Sequence, residues 1–214
     1  LDEPHLRLRT HVDQRLRALG LARTIPVSVL VETPGAVHDA WQIAALPGVV
    51  SLDFGLMDFV SAHYGAIPGS AMASPGQFEH PLVRRAKVDV AAAALAHGVM
   101  PVHNVTRALD DVAQVAADAR RARDEFGFMR MWSIHPAQIE PIIAAMQPAT
   151  GDIDEAAAIV AAAQAADWAP LRIDGTLHDR ASYRLAWTLL ARAHAAGMPL
   201  PPSACDYFAS GARA

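Results

Sequence analysis

Cysteine is nearly absent. The 214-residue chain has one, Cys205, which excludes an intrachain disulfide framework. No basic residue adjoins it in sequence, so an inert thiol is expected. So little thiol fits a reducing compartment, and a cytoplasmic protein is the expectation. Long apolar runs are lacking too. The longest alanine-rich run, residues 91–96, is far shorter than the ~20 residues that span a bilayer, so no membrane partner is expected. No signal-peptide pattern opens the chain. It begins at Leu1 rather than Met, which leaves room for a missing start. There is no dense basic stripe: 18 Lys and Arg stand against 22 Asp and Glu, for a net charge of -4. The arginines within residues 13–23 are interleaved with acidic and apolar positions and read as a solvated helix face. Nucleic acid is therefore not an expected partner.

Core material is plentiful. The composition is 52% hydrophobic and 19% charged, which is that of a globular chain. Apolar spacing predicts a first helix over 2–20, with Leu6, Leu8, Val12, Leu16 and Leu19 on one face and Gly20 as its stop. A strand follows over 27–31, ending at Glu32. A helical unit covers 36–46, and a second strand covers 49–54, ahead of Gly55 and Asp58. Residues 61–80 are rich in Gly, Pro and Ser and read as a long ordered loop, a feature usually tied to function. Helix 82–96, strand 99–104, helix 107–125 and strand 128–134 come next. Helices then cover 137–146 and 152–168. Residues 171–176 are turn-like, 179–196 are helical, and the tail is polar and proline-rich.

Strand, loop and helix thus recur four times, the pattern of a mostly parallel sheet covered by helices. An open doubly wound sheet and a (β/α)8 barrel both fit. No glycine-rich phosphate loop follows a strand, which weakens the dinucleotide-binding version of the open sheet. Polar residues gather at the carboxyl ends of the strands: Glu32, Asp58, His103 with Asn104, and Ser133 with His135. Both folds place chemistry there. A barrel needs roughly 250 residues, and four units alone leave open sheet edges. The barrel reading therefore requires earlier strands.

An unpaired carboxylate at Glu32 is costly to bury, and Asp58 holds the equivalent place after the next strand. If the strands are adjacent, the acids converge, and a divalent cation removes their repulsion. An all-oxygen set suits Mg2+. The alternative is that each acid caps a helix or pairs with an arginine. Asp53 lies mid-strand and is expected to face a wall. His135 is either a cap or a ligand-binding group, with no second histidine four residues away to make a metal pair. His103 and Asn104 can reach the same mouth or simply form a turn. Arg84, Arg85 and Lys87 cluster near a helix start, where one can face an anionic substrate or all can be solvated. Asp179 reads first as the N-cap of the last helix, and alternatively as a general acid or base.

These blocks together resemble the HpcH/HpaI aldolase and citrate lyase beta-subunit superfamily, and within it the acyl-CoA ester lyases acting on malyl- or citramalyl-CoA. The blocks are Val31-Glu32-Thr33-Pro34-Gly35, Phe54-Gly55-Leu56-Met57-Asp58-Phe59, the helix from Arg84 toward Gly98, Ile134-His135-Pro136-Ala137-Gln138-Ile139, and Asp174-Gly175-Thr176-Leu177-His178-Asp179. The resemblance implies a TIM barrel of which only the C-terminal half is evident here. Residues 1–150 would belong to that barrel, and 151–214 to a helical extension contacting a neighbouring subunit. It implies Mg2+ held by Glu32 and Asp58, a site near the acyl-CoA shaped by His135, Pro136 and Gln138, and Asp179 exchanging a proton across a subunit boundary. A homotrimer or homohexamer is implied as well. Two departures stand out: no segment matches the family's early substrate-binding arginine, and His103-Asn104 occupies a place where many relatives carry an acid. The expected reaction is Mg2+-assisted cleavage or formation of a 3-hydroxyacyl-CoA. The alternatives are a class II aldolase acting on free 2-oxo acids and a non-catalytic assembly subunit.

Overall fold

The computed structural model describes residues 4–21 and 25–209, with the side chains of residues 4–9 and 13 outside the description. Contacts divide the chain into two compact units, residues 1–146 and 147–214. The first unit opens with helix α1 (Pro4–Ala18). Leu16 is buried and Leu19 exposed, while Leu6 and Leu8 fall outside the described side chains. Strand β1 (Val27–Val31) follows. The helical unit expected over 36–46 is two short helices, α2 (Pro34–His38) and α3 (Ala40–Ala44). Thr33 caps α2 by accepting from the Ala36 amide at 3.1 Å.

Strand β2 (Val49–Phe54) leads into α4 (Leu56–Ser61). The expected loop over 61–80 contains a 3-10 turn at Gly69–Met72 and a single helical turn, α5 (Gly76–Glu79). Then come α6 (Pro81–Ala96), β3 (Met100–His103) and α7 (Val112–Phe126). Helix α7 starts five residues later than its apolar pattern suggests, because the Asp111 carboxylate caps it at the Gln114 amide, 2.9 Å away. Gly127, at φ +76°, ends it in the left-handed conformation that glycine adopts without strain. The strand expected over 128–134 is only β4 (Arg130–Met131). A 3-10 turn (Pro136–Gln138) and α8 (Ile139–Met146) close the unit.

The four strands are parallel and ordered β1-β2-β3-β4. Their carboxyl ends therefore share one edge. The order never reverses, and because parallel crossovers are right-handed almost without exception, the helices that join these strands fall on one face. On that face Val31, Leu52, Phe54, Val83, Val90, Val115, Ala119 and Phe128 form a buried core. The opposite face carries Leu30, Asp53, Val102 and Arg130 in register. It is partly bare: Leu30 is 39% exposed and Trp132 41%.

The second unit packs α9 (Thr150–Ala165) against α10 (Arg180–Ala195) through Ile153, Ala157, Val160, Leu190 and Ala193. Between them, the stretch that reads as a turn is an antiparallel hairpin of β5 (Leu171–Ile173) and β6 (Thr176–His178). It reverses at Asp174 and Gly175, both at positive φ (48° and 84°), as a tight two-residue hairpin requires. The polar tail also folds, as α11 (Pro202–Ala209), with Ala204 buried in the same core. Among the described residues, no helix is long and apolar enough to cross a membrane.

Candidate metal centre

Glu32 immediately follows β1, and Asp58 lies in the first turn of α4, just past β2. Adjacent parallel strands bring the two to the same edge. The Asp58 carboxylate lies near enough for its charge to act on Glu32. Glu32 is half-buried and Asp58 exposed. Burial, then the Asp58 charge, then the hydrogen bond to Asp58 push the Glu32 carboxyl above the ordinary carboxylate range. Asp58 gains from its place at a helix start, where the dipole favours negative charge.

Gly55 fixes the geometry. A Cβ there would lie 2.5 Å from the Glu32 Cβ and 2.9 Å from its Oε2. Only glycine allows the two segments to meet, and the Gly55 amide donates to the Val31 carbonyl at 2.9 Å to hold them there. Among the described residues no cluster of three or more His, Cys, Asp or Glu forms a metal cage. Two carboxylates at one sheet edge, one of them exposed, fit a cation that keeps most of its waters, which is the habit of Mg2+ and not of structural Zn2+.

The other candidates lie in different settings. Asp53 is buried on the face shared with Leu30; its Oδ2 accepts from Trp132 Nε1 at 2.9 Å, and its Oδ1 is buried without a partner. His135 is exposed and caps the turn at Pro136, its Nδ1 accepting from the Ala137 amide at 3.3 Å. Gln138 is fully buried. It accepts from the Ile134 amide at 3.0 Å and donates to the carbonyls of Thr106 and Ala108 at 3.0 and 3.1 Å. It thereby ties the connection after β3 to the connection after β4. Asp179 belongs to the second unit and caps α10: its Oδ1 accepts from the Ala181 amide, and Ser182 Oγ accepts from the Asp179 amide, both at 2.9 Å.

His103 faces the helix layer, stacked on Phe78 with ring centroids 5.4 Å apart. Lys87 Nζ donates to its Nε2 at 2.7 Å and to Gln77 Oε1 at 3.1 Å, and lies 4.2 Å from the Phe78 ring centroid. Asn104 is buried and donates to the same Gln77 oxygen at 2.9 Å. Asp118 completes the group, accepting from Ser74, Gln77, Thr106 and Gln114. Burial holds the Lys87 amine well below its usual range, and burial followed by the Lys87 charge does the same to the His103 ring. Lys87 is thus not part of a solvated helix end, whereas Arg84 and Arg85 are exposed. Its burial has a sequence signal: position 87 shares the apolar stripe of Val83, Val90 and Ala94. Asp118 stands likewise beside Val115, Ala119 and Ala122, which are all buried.

Known proteins share this layout. A citrate lyase from Burkholderia xenovorans LB400 has 53% sequence identity and a TM-score of 0.88, covering 97% of this chain and 64% of its own. The protein CitE of Mycobacterium tuberculosis, solved with magnesium, acetoacetate and coenzyme A, has 27% identity and a TM-score of 0.67 over 82% of this chain and 63% of its own. A citrate lyase subunit beta-like protein of Deinococcus radiodurans is 32% identical over 146 residues, which are 67% of this chain and 48% of that protein. The chain spans about half the length of the curated relatives it matches. Residues 7–136 match the HpcH/HpaI aldolase/citrate lyase family, and the chain belongs to that family.

Proposed function

We propose that this chain carries the metal-binding edge of a Mg2+-dependent carbon–carbon lyase that cleaves or forms a 3-hydroxyacyl-CoA such as malyl-CoA or citramalyl-CoA. The observation that carries the reading is the convergence of Glu32 and Asp58 against Gly55. The citrate lyase relatives and the magnesium and coenzyme A bound to the mycobacterial protein support it. The half-bare sheet face and the strand order support a (β/α)8 barrel, of which residues 1–150 supply the C-terminal half and which further strands complete. Residues 151–214 form an extension that contacts a neighbouring subunit of a trimer or hexamer.

Glu32 and Asp58 would hold the metal. Bound there, Mg2+ supplies Lewis acidity and a template for adjacent substrate oxygens. In the cleavage direction the substrate hydroxyl would give its proton to water, the bond between its carbon and the thioester α-carbon would break, and the electron pair would stay with the thioester as an enolate. Asp179 of a neighbouring subunit returns a proton to that carbon. The reaction needs neither a redox step nor a covalent enzyme intermediate. His135 and Pro136 border the acyl-CoA. Gln138, His103 and Asn104 set the two connections that face the substrate.

The decisive assay compares malyl-CoA with free 4-hydroxy-2-oxo acids, each with Mg2+ and with EDTA. CoA-dependent, EDTA-sensitive cleavage is expected. Cleavage of free acids alone points to a class II aldolase, and activity unaffected by EDTA overturns the metal reading.

A further inference from the structure

The second unit holds a hollow of about 370 Å³, lined by Trp168, Arg180, Tyr183, Arg184 and Trp187. This size lies within the range of small-molecule sites. Among the described residues no acidic side chain lines it, although the chain as a whole is negative. Arg180, Tyr183, Arg184 and Trp187 follow the spacing i, i+3, i+4, i+7 and so share one face of α10. The two arginines are one turn apart, about 6 Å along the axis. Both are exposed, and among the described residues no acidic side chain pairs with either.

Trp168 closes the hollow from the turn after α9, and it does so in an unusual backbone state. Asp167 and Trp168 both have positive φ, 50° and 62°. Glycine sits in that region freely, whereas a bulky residue is strained. The turn is nonetheless fastened: the Trp168 amide donates to Ala163 O at 2.8 Å, and Tyr183 Oη donates to Ala169 O at 2.7 Å. The Tyr183 ring meets Trp168 edge-on, with centroids 6.1 Å apart. Trp168 remains 53% exposed, so this strain does not bury a large apolar side chain. It holds an indole in place beside the Arg180 and Arg184 guanidinium groups.

We infer that this hollow binds a purine nucleotide phosphate, with the base against the exposed indoles of Trp168 and Trp187 and the phosphates on Arg180 and Arg184. Aromatic faces accept any base by stacking, and guanidinium forks match phosphate oxygens in pairs. The ligand is either a free nucleotide or the nucleotide end of a larger cofactor such as coenzyme A. The site uses neither Glu32 nor Asp58; its free-nucleotide form is independent of the lyase reading, and its coenzyme A form rests on that reading.

The test is titration of the whole chain with ADP, coenzyme A, adenosine and inorganic phosphate, followed by calorimetry and tryptophan fluorescence. ADP or coenzyme A should saturate and quench, with adenosine and phosphate each about tenfold or more weaker. Coenzyme A binding in preference to ADP identifies a cofactor end, and the reverse identifies a free nucleotide. Arg180→Ala with Arg184→Ala should weaken binding about tenfold or more. Trp168→Gly should do the same while keeping the fold, because glycine suits the backbone there. Glu32→Gln should bind as the wild type does, so loss of lyase activity leaves this result readable. No saturation at millimolar nucleotide, or equal affinity in the arginine and tryptophan variants, overturns the inference. So does a change of oligomeric state in those variants without any nucleotide effect, because the face is then a subunit contact.

Discussion

Two regions of the first unit each press together groups that prefer the same charge, and the fold treats them in opposite ways. At the sheet edge Glu32 meets Asp58, with Asp58 open to solvent. Behind the sheet Lys87 meets His103, both fully buried. The inner pair is relieved internally: burial favours the neutral forms, Gln77 and the Phe78 face take up the amine, and Asp118 anchors the surrounding donors. The outer pair is not relieved in this way: the Asp58 charge adds to burial in pushing the Glu32 carboxyl above its ordinary range. A conflict solved inside the chain contributes to structure, and one left open at an edge calls for something from outside.

The largest effect should come from breaking the outer pair. Glu32→Gln should lower Mg2+-dependent turnover by on the order of a thousandfold or more, about 4 kcal/mol of barrier. Its urea midpoint without metal should stay at or slightly above that of the wild type, because a like-charge contact is removed. A large loss of stability would place Glu32 with the inner, structural class and erase the contrast. Asp118→Ala should do the reverse. It leaves several buried donors without an acceptor and should cost about 3–5 kcal/mol in denaturant unfolding.

Saturating Mg2+ sharpens the comparison next. At a hundredfold excess over Kd it should stabilise the wild type by ~2.7 kcal/mol and leave Glu32→Gln unmoved. Thermal melts with and without EDTA measure this. Gly55→Ala forces a methyl group into the space of Glu32 and should cost about 1–3 kcal/mol while weakening Mg2+ binding in calorimetry.

The smallest and most diagnostic effect is the sign of the pH dependence. Burial lowers the folded pKa of Lys87 and His103. The unfolded chain therefore binds more protons below their ordinary values of about 10.4 and 6.5, and stability should fall as pH drops through those windows. For Glu32 the folded pKa is raised. Its contribution is present below the ordinary carboxylate value and is lost as pH rises through the raised one. Urea midpoints in EDTA should show that Lys87→Met removes the rise toward alkaline pH, at most about 1.4 kcal/mol per pH unit for one proton. A slope unchanged by that substitution would mean that Lys87 titrates normally.

The sequence revealed the repeating strand–helix order and the acid pair, because apolar runs mark strands and a charge at the end of one is conspicuous. It hid the short elements. β4 forms only two ladder pairs, Val102 with Arg130 and His103 with Met131, so its apolar flank overstates its length. The β5–β6 hairpin turns on Asp174 and Gly175, and its three-residue strands are too short for a period to show. The Lys87 network was missed for a different reason. Its members are polar residues scattered from 74 to 118, which only tertiary packing gathers. Placing Lys87 and Asp118 on their helical stripes would have exposed it.

Gln138 carries a consequence of its own. One amide group stitches the chain at 106–108 to the chain at 134, so these two surface connections cannot diverge separately. A graft that exchanges the His-Pro turn between relatives must bring the stretch after β3 with it, or the transplanted turn arrives without its fastening. The acid-bearing ends of β1 and β2 lie outside that stitch, which makes the pair of later connections a cassette that can be replaced while the ion's seat stays where it is.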